Sequence, residues 1–242
     1  MRFETAAISD VGRRRQANED RYALDADLGL FLVADGMGGH RAGRTASELA
    51  SAAVLAAIHT LQDAPASLAE RLRYAVSAAN REIFSTAAEQ SELAGMGTTL
   101  VVLLAGEERV SLAHVGDSRA YLVRAGGIRQ LTDDHSLVAE LLRRHKISED
   151  DAREHPHRHV LTRALGVRPT VEPDLAEMTP LDGDVFVLCS DGLTGHLEDE
   201  EIAKIVSSTP DLEQAAGALA ECANSRGGED NITAVLVRCV DE

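Results

Sequence analysis

The order of strand-like and helix-like segments constrains this chain more than any other feature. Strand character recurs at FETAAIS, RYALDAD, LGLFLVAD, TTLVVLLA, RVSLAHVG, RAYLVRAG, IRQLT, VEPDLAEM, DVFVLCS and NITAVLVRCV. Several of these are joined by DADLG, AGEE and RAGG, turns too short for a crossover, so their neighbours must run antiparallel. Helical periodicity covers residues 41–61 and 66–89, side by side in the first half. Shorter helices are expected near 136–144, 198–207 and 212–224. A βαβ chain would alternate strand and helix, and this one does not. The predicted class is α+β: a four-layer αββα sandwich, with two central, mainly antiparallel sheets flanked by helices. No Pro- or Ser-rich linker, low-complexity tract or repeat divides residues 1–242, so one domain is expected.

Composition narrows the partners. Hydrophobic residues make up 44% and aromatics 3% with no Trp, so the core must rest on Ala, Leu, Val and Ile. A net charge of -16 argues against nucleic acid or anionic lipid, which need a basic footprint. No apolar run approaches a membrane span, and MRFETAAISDVG carries no signal-peptide core. A cytoplasmic protein, monomeric and without a membrane partner, is the expectation. Cys189, Cys222 and Cys239 show no CxxC spacing, and Cys189 within VFVLCSD reads as a buried apolar residue.

Four acids share one setting. Asp35 in VADGMGG and Asp191 in VLCSDGL stand just past apolar strands. Asp117 in HVGDSRAYL lies in a turn between two strands, and Asp230 in GGEDNITAVLV just precedes one. Each is beside Gly or at a strand terminus, where backbone can approach a ligand closely. A single such acid is usually a turn former. Four at strand ends of a packed sandwich converge in space, and a cation offsets their repulsion. Oxygen donors without accompanying Cys or His suit Mg²⁺ or Mn²⁺. RRRQANED adds Arg15, suited to forked binding of phosphate, with Glu19 and Asp20 close behind. Alone, that stretch would read as a solvated basic turn.

These motifs carry a resemblance. RRRQANED, LFLVADGMGG, GMGTTLVVLL, AHVGDSRAYL, LTDDHS, LTRALG, VLCSDGL and GGEDNITAV follow the order and spacing of the bacterial type 2C metal-dependent serine/threonine protein phosphatases. The resemblance runs from about Thr5 to Val240, and the ordered set is more specific than any one motif. It implies that Asp35 bridges two Mn²⁺ or Mg²⁺ ions and that Gly36 offers its carbonyl to one of them. Asp191 and Asp230 would complete the other, and Glu19 would reach the pair through water. Asp117 would hold a third, weaker ion together with Asp191. Arg15 would bind the substrate phosphate, with Asp20 and Asn231 supporting the carboxylates from behind. The implied reaction is hydrolysis of phosphoserine and phosphothreonine in proteins by a metal-bridging hydroxide, without a phosphoenzyme. Implied partners are phosphorylated proteins and an opposing eukaryotic-like Ser/Thr kinase, with control of a secretion system as one setting.

The chain departs from animal members of that family in one position. They place His directly after the Asp-Gly pair as a general-acid candidate, whereas this chain has Met37. The leaving-group proton must come from elsewhere, metal-bound water or His40. A His- and Arg-rich stretch after LTDDHS, about residues 136–166, matches the place of a flap beside the active site in bacterial relatives. His155, His157 and His159 fit no common zinc spacing and read as exposed parts of it.

Three rivals compete. GGHRAGRT nearly fits a P-loop, but Arg44 replaces the lysine and the strands read as antiparallel. A cysteine-based phosphatase needs Arg six positions after its nucleophile, where Cys189 and Cys222 have Gly195 and Gly228. A non-catalytic relative would have lost ligand acids, and each one matched is kept.

Overall fold

The computed structural model describes residues 1–241, apart from the side chain of His40. Two sheets form its centre. One has the order β1 (Arg2–Asp10), β11 (Ile232–Val240), β10 (Val185–Cys189), β7 (Arg119–Arg124) and β8 (Gly127–Gln130). The other runs β2 (Asp20–Asp25), β3 (Leu30–Met37), β5 (Leu100–Ala105), β6 (Val110–Val115) and β9 (Asp174–Met178). The short β4 (Gly97–Thr98) joins the far end of β3. Every strand pair among the described residues is antiparallel, as the short turns require.

Apolar runs such as LFLVA lack a polar alternate because both faces of the strand are covered. Phe31 and Val33 point between the sheets, where they meet Phe186, Leu188, Val235 and Val237. Leu30, Leu32 and Ala34 point the other way, onto α1 (His40–Thr60) and α2 (Leu68–Glu89) through Ala46, Ala50, Val54, Leu72 and Val76. On the opposite side, Val187, Cys189, Ala234 and Leu236 pack against α6 (Asp199–Ser208) and α7 (Leu212–Ser225). The layers are therefore helix, sheet, sheet, helix. Period-2 alternation survives, but it sorts side chains between two apolar interfaces rather than between core and water. Ala residues at the α1 interface let helix and sheet approach closely, which suits a chain poor in aromatics.

Helix boundaries follow local chemistry. Ser67 and Glu70 form a reciprocal capping box at α2, and Asp211 caps α7 through the Gln214 amide. Two helices were not legible from periodicity: α4 (Glu149–Arg153), capped by Ser148 and Asp151, and α5 (Asp191–Thr194), a single turn. With α3 (Leu137–Arg143), α4 makes up the body of the 136–166 stretch. Its end is not loose: Leu165 is fully buried beside α2 and the Gly166 amide donates to Asn80 Oδ1 at 2.9 Å. Among the described residues no helix is long and apolar enough to cross a membrane.

The inter-sheet layer sets the spacing of everything mounted on the strand ends. Phe186, fully buried there, should lower stability by about 3–5 kcal/mol on truncation to Ala. At about 2–4 °C per kcal/mol for a chain of this size, the midpoint should fall on the order of 10 °C in a thermal melt. A loss below about 1 kcal/mol would mean this layer can collapse around the cavity.

Candidate active site

The site begins with a register. Pairing of β2 with β3 sets Asp20 directly opposite Asp35, so two carboxylates share one face at one end of a sheet. Like charges in that position destabilise a sheet. The facing sheet adds three more acids from its own strand ends: Asp117 before β7, Asp191 after β10 and Asp230 before β11. Asp35, Asp117, Asp191 and Asp230 line one cleft of about 970 Å³ together with Glu19 and Arg15. Gly36, Met37 and Asn231 line the same cleft, while Asp20 lies buried beneath it.

Backbone and hydroxyl contacts hold this frame. Thr99 donates its amide to the Asp35 carbonyl at 2.9 Å, and its Oγ1 accepts from the Asp35 amide at 2.9 Å. Thr98 Oγ1 adds a 2.8 Å bond to the same carbonyl. The main chain of Asp35 is thus fully engaged and its carboxylate is aimed at the cleft. Thr99 Oγ1 also pairs with Ser118 Oγ at 2.6 Å, linking the Asp35 strand to the Asp117 turn. Ser190, just before Asp191, donates to Asp20 Oδ2 at 2.8 Å and accepts from the Thr233 amide at 3.0 Å, joining one sheet to the other.

Close approach explains two glycines. A Cβ on Gly36 would lie 2.0 Å from the Gly43 carbonyl oxygen and 2.8 Å from that of Glu19. One on Gly43 would lie 2.0 Å from Glu19 Oε2, so the first turns of α1 close over Glu19 only without side chains. Glu19 is held further by Ser47, whose Oγ donates to its carbonyl at 2.5 Å. Asn231 anchors the loop in front: its Nδ2 donates to the Val11 and Ala17 carbonyls, both at 3.0 Å. Its Oδ1 accepts from the Glu19 amide at 2.8 Å, and its own amide donates to Asp230 Oδ1 at 2.8 Å. Asn231 therefore fixes the Arg15–Glu19 loop as well as the neighbouring carboxylate.

Arg15 donates to Asp230 Oδ2 at 2.6 Å, at the mouth of the cleft. His159 also reaches in, with Nδ1 3.8 Å from Asp191 Oδ2. Contact with that carboxylate raises its imidazole above the usual pKa. His159 is thus exposed, as its setting in the sequence indicated, yet it touches the floor of the site. The side chain of His40, the alternative proton donor, lies outside the described residues. Met37 lies against Gly97, where an added Cβ would come within 2.7 Å of its terminal methyl. Cys189 is fully buried, and burial pushes its thiol up to about 12, which removes it as a nucleophile.

Electrostatics point to a cation. Burial and then repulsion from Asp20, Asp191, Asp117 and Asp230 lift Asp35 well above the usual carboxylate range. Burial, followed by repulsion from Asp191, lifts Asp117 to about 8. Asp20 is raised to about 7, chiefly by burial, despite its hydroxyl partner at Ser190. Asp20 Oδ1 and Asp191 Oδ1 are buried without a hydrogen-bond partner among the described residues. Orphaned carboxylate oxygens in an all-oxygen donor set fit hard divalent ions. Asp35, the Gly36 carbonyl, Asp117, Asp191 and Asp230 are the groups placed to hold such ions.

Ser47, Thr98, Thr99, Ser190 and Gly43 were not singled out in the sequence for these roles. The doublet in GMGTTL and the serine in LCSDG were visible, but a Ser–Asp contact across 170 positions leaves no spacing signal.

Comparison with known proteins agrees with this geometry. The family described as protein phosphatase 2C matches residues 8–232. The serine/threonine phosphatase stp of Listeria monocytogenes is 42% identical over 95% of this chain and 93% of its own length. Serine/threonine phosphatase PstP/Ppp of Mycobacterium tuberculosis superposes with a TM-score of 0.91 at 38% identity, covering 100% of both chains. The PstP catalytic domain in complex with two manganese ions gives 0.88 at 38% identity, covering 99% of each chain. PppA, a regulatory component of the type VI secretion system in Pseudomonas aeruginosa, gives 0.84 at 36% identity over 98% of each chain. With its two antiparallel sheets, its outer helices and its acids at one end, the chain belongs to the protein phosphatase 2C family and is a phosphoprotein phosphatase.

Proposed function

We propose that the chain removes phosphate from phosphoserine and phosphothreonine in proteins, at a pair of Mn²⁺ or Mg²⁺ ions. The observation that carries this reading is the carboxylate cluster on the floor of an open cleft, with Asp20 Oδ1 and Asp191 Oδ1 buried and without a hydrogen-bond partner among the described residues. Asp35, the Gly36 carbonyl, Asp191 and Asp230 would hold the two ions, with Glu19 acting through water and Asp117 with Asp191 holding a weaker third. Such ions would supply an activated water and neutralise the phosphoryl oxygens.

The chain's own residues do the rest. Arg15 is held at the cleft mouth by Asp230, and its guanidinium would be free for phosphate wherever that carboxylate were engaged by a cation. Asn231 keeps the Arg15 loop on the end of β11, so Arg15 stays within reach of the acids. Asp20 and Ser190 form the support beneath. Arg14, Arg153, Arg158 and Arg226 also line the cleft, in company with Glu154 and Glu229. Substrates of this kind place the protein opposite a Ser/Thr kinase, and likeness to PppA supports a secretion apparatus as one setting.

Hydrolysis of p-nitrophenyl phosphate and of a phosphothreonine peptide should need added Mn²⁺ and fall to background in EDTA. Asp191→Asn should lose at least about 100-fold in kcat. Full activity in EDTA, or an unimpaired Asp191→Asn, would sink the two-ion reading. Arg15→Ala should raise KM for the peptide about 10- to 100-fold, the worth of a charge-assisted hydrogen bond, with a smaller effect on kcat. An unchanged KM would remove Arg15 from the phosphate site.

A pH dependence follows with a definite sign. Asp20 and Asp117 have folded-state values of about 7 and about 8, above the unfolded value of about 4, so the native metal-free chain binds more protons than the unfolded one. Its stability should therefore decline as pH rises through that interval. Asp117 should give up its proton when Mn²⁺ is added, and each site filled at 100 times Kd would add about 2.7 kcal/mol, or about 5–10 °C at this chain length. Melts with EDTA and with Mn²⁺ at pH 5 and pH 8 test this. A metal-free midpoint that rises with pH would contradict the assigned repulsion.

A further inference from the structure

We propose that His135 is a positioning residue that ties the base of the 136–166 flap to the turn carrying Asp117, with Asp174 and His114 holding it in place. The inference rests on the reading of Asp117 as the ligand of a third ion. Gly116, the residue before Asp117, is the point of attachment. It has φ +110°, and a Cβ there would lie 2.7 Å from Thr99 Cβ, so the turn accepts no side chain. Both of its main-chain groups are taken by imidazole-bearing residues. Its amide donates to His135 Nδ1 at 3.0 Å. Its carbonyl accepts from the His135 amide at 2.8 Å and from His114 Nε2 at 2.9 Å. The two rings stack with centroids 4.2 Å apart, and both residues are buried, at 1% and 3% exposure.

These contacts fix the tautomers. Nδ1 of His135 accepts from an amide, so the ring proton sits on Nε2, which donates to Asp174 Oδ2 at 3.1 Å. Asp174 in turn receives Arg163 Nη1 at 2.5 Å. On the other side, both ends of the flap close on the same histidine. Ser136 forms a β-bridge with Leu161, and the Leu137 amide donates to the Val160 carbonyl at 2.8 Å. The Thr162 amide donates to the His135 carbonyl at 2.8 Å. One residue therefore bonds the flap's exit, the Asp117 turn and the carboxylate that holds Arg163. A shift of the flap base must move Gly116, or break buried hydrogen bonds that have no replacement.

His114, His135 and Asp174 bring ligand atoms within 4.8 Å of one another, a spacing a cation could use. The tautomer argues against that use. A metal on His135 Nε2 would require the ring to give up its last proton while Nδ1 still accepts from Gly116. The cluster serves as a hydrogen-bonded strut.

Mn²⁺ titration of the full chain by calorimetry and electron paramagnetic resonance tests the proposal, with His135→Leu, His135→Asn and Asp117→Asn as variants. In His135→Leu the tight sites should persist while the weakest ion loses about tenfold or more in affinity. Asn keeps an acceptor for the Gly116 amide without reaching Asp174, so His135→Asn should fall between. Trypsin should also cut the flap at Arg143, Arg144 and Lys146 faster in both variants. Wild-type affinity for the weakest ion in both histidine variants would overturn the proposal. If His135→Leu fails to fold, shown by loss of the tight sites, the intermediate affinity of His135→Asn decides. A wild type with only two Mn²⁺ would overturn the premise about Asp117, and one with none would overturn the metal reading itself. Zn²⁺ bound by Asp117→Asn but not by His135→Leu would make the cluster a metal site and defeat the strut.

Discussion

Repulsion among carboxylates crowded at the strand ends is the interaction on which the rest of this structure depends. Asp20 and Asp35 face each other across a strand pair, and Asp117, Asp191 and Asp230 approach from the opposite sheet. In a low-dielectric interior such a group tolerates few arrangements: its members take up protons, or they take up cations. The surrounding scaffold exists to hold this unfavourable set in place. Thr98 and Thr99 saturate the main chain of Asp35, Ser190 grips Asp20, and Asn231 pins the loop that carries Arg15 and Glu19. The Ser190 bond favours the Asp20 carboxylate, yet burial and repulsion still hold that group well above its ordinary value. These contacts keep the strand ends from separating to escape the repulsion.

The same logic explains where the apolar material goes. With few aromatics, the chain buries its apolar residues in three stacked interfaces, mostly of Ala, Val, Leu and Ile, instead of one large core. Strands covered on both faces can tolerate an electrostatically costly end because their length is secured elsewhere. Gly43 in the first turn of α1 extends this arrangement to Glu19, since it admits the Glu19 carboxylate where a side chain would exclude it, while Gly36 admits the Glu19 and Gly43 carbonyls.

Much of this was legible in the sequence. Each strand-like run became a strand, because hairpin turns and apolar runs are local signals. Asp35, Asp117, Asp191 and Asp230 were recognisable as acids at strand ends, and the cleft gathers all four. The misses are of two kinds. Elements of one turn, such as α5 and α4, are shorter than a hydrophobic period and leave no pattern. Partnerships such as Thr99 with Ser118, Ser190 with Asp20, and His135 with Gly116 join residues on different strands. Serine, threonine and histidine occur widely in ordinary turns, so only their meeting in space gives them a role.

The Ser190 hydroxyl crosses from one sheet to the other, and that places the acids on both sides of a seam. Neither sheet owns the site: Asp20 and Asp35 travel with one, Asp117, Asp191 and Asp230 with the other. The thickness of the Phe31–Phe186 layer then behaves as a spacer that sets the gap between two half-sites. A substitution deep in that layer, far from any ligand, would act like changing the shim in a vice. The chemistry at the jaws would register a fraction of an ångström gained or lost among apolar side chains.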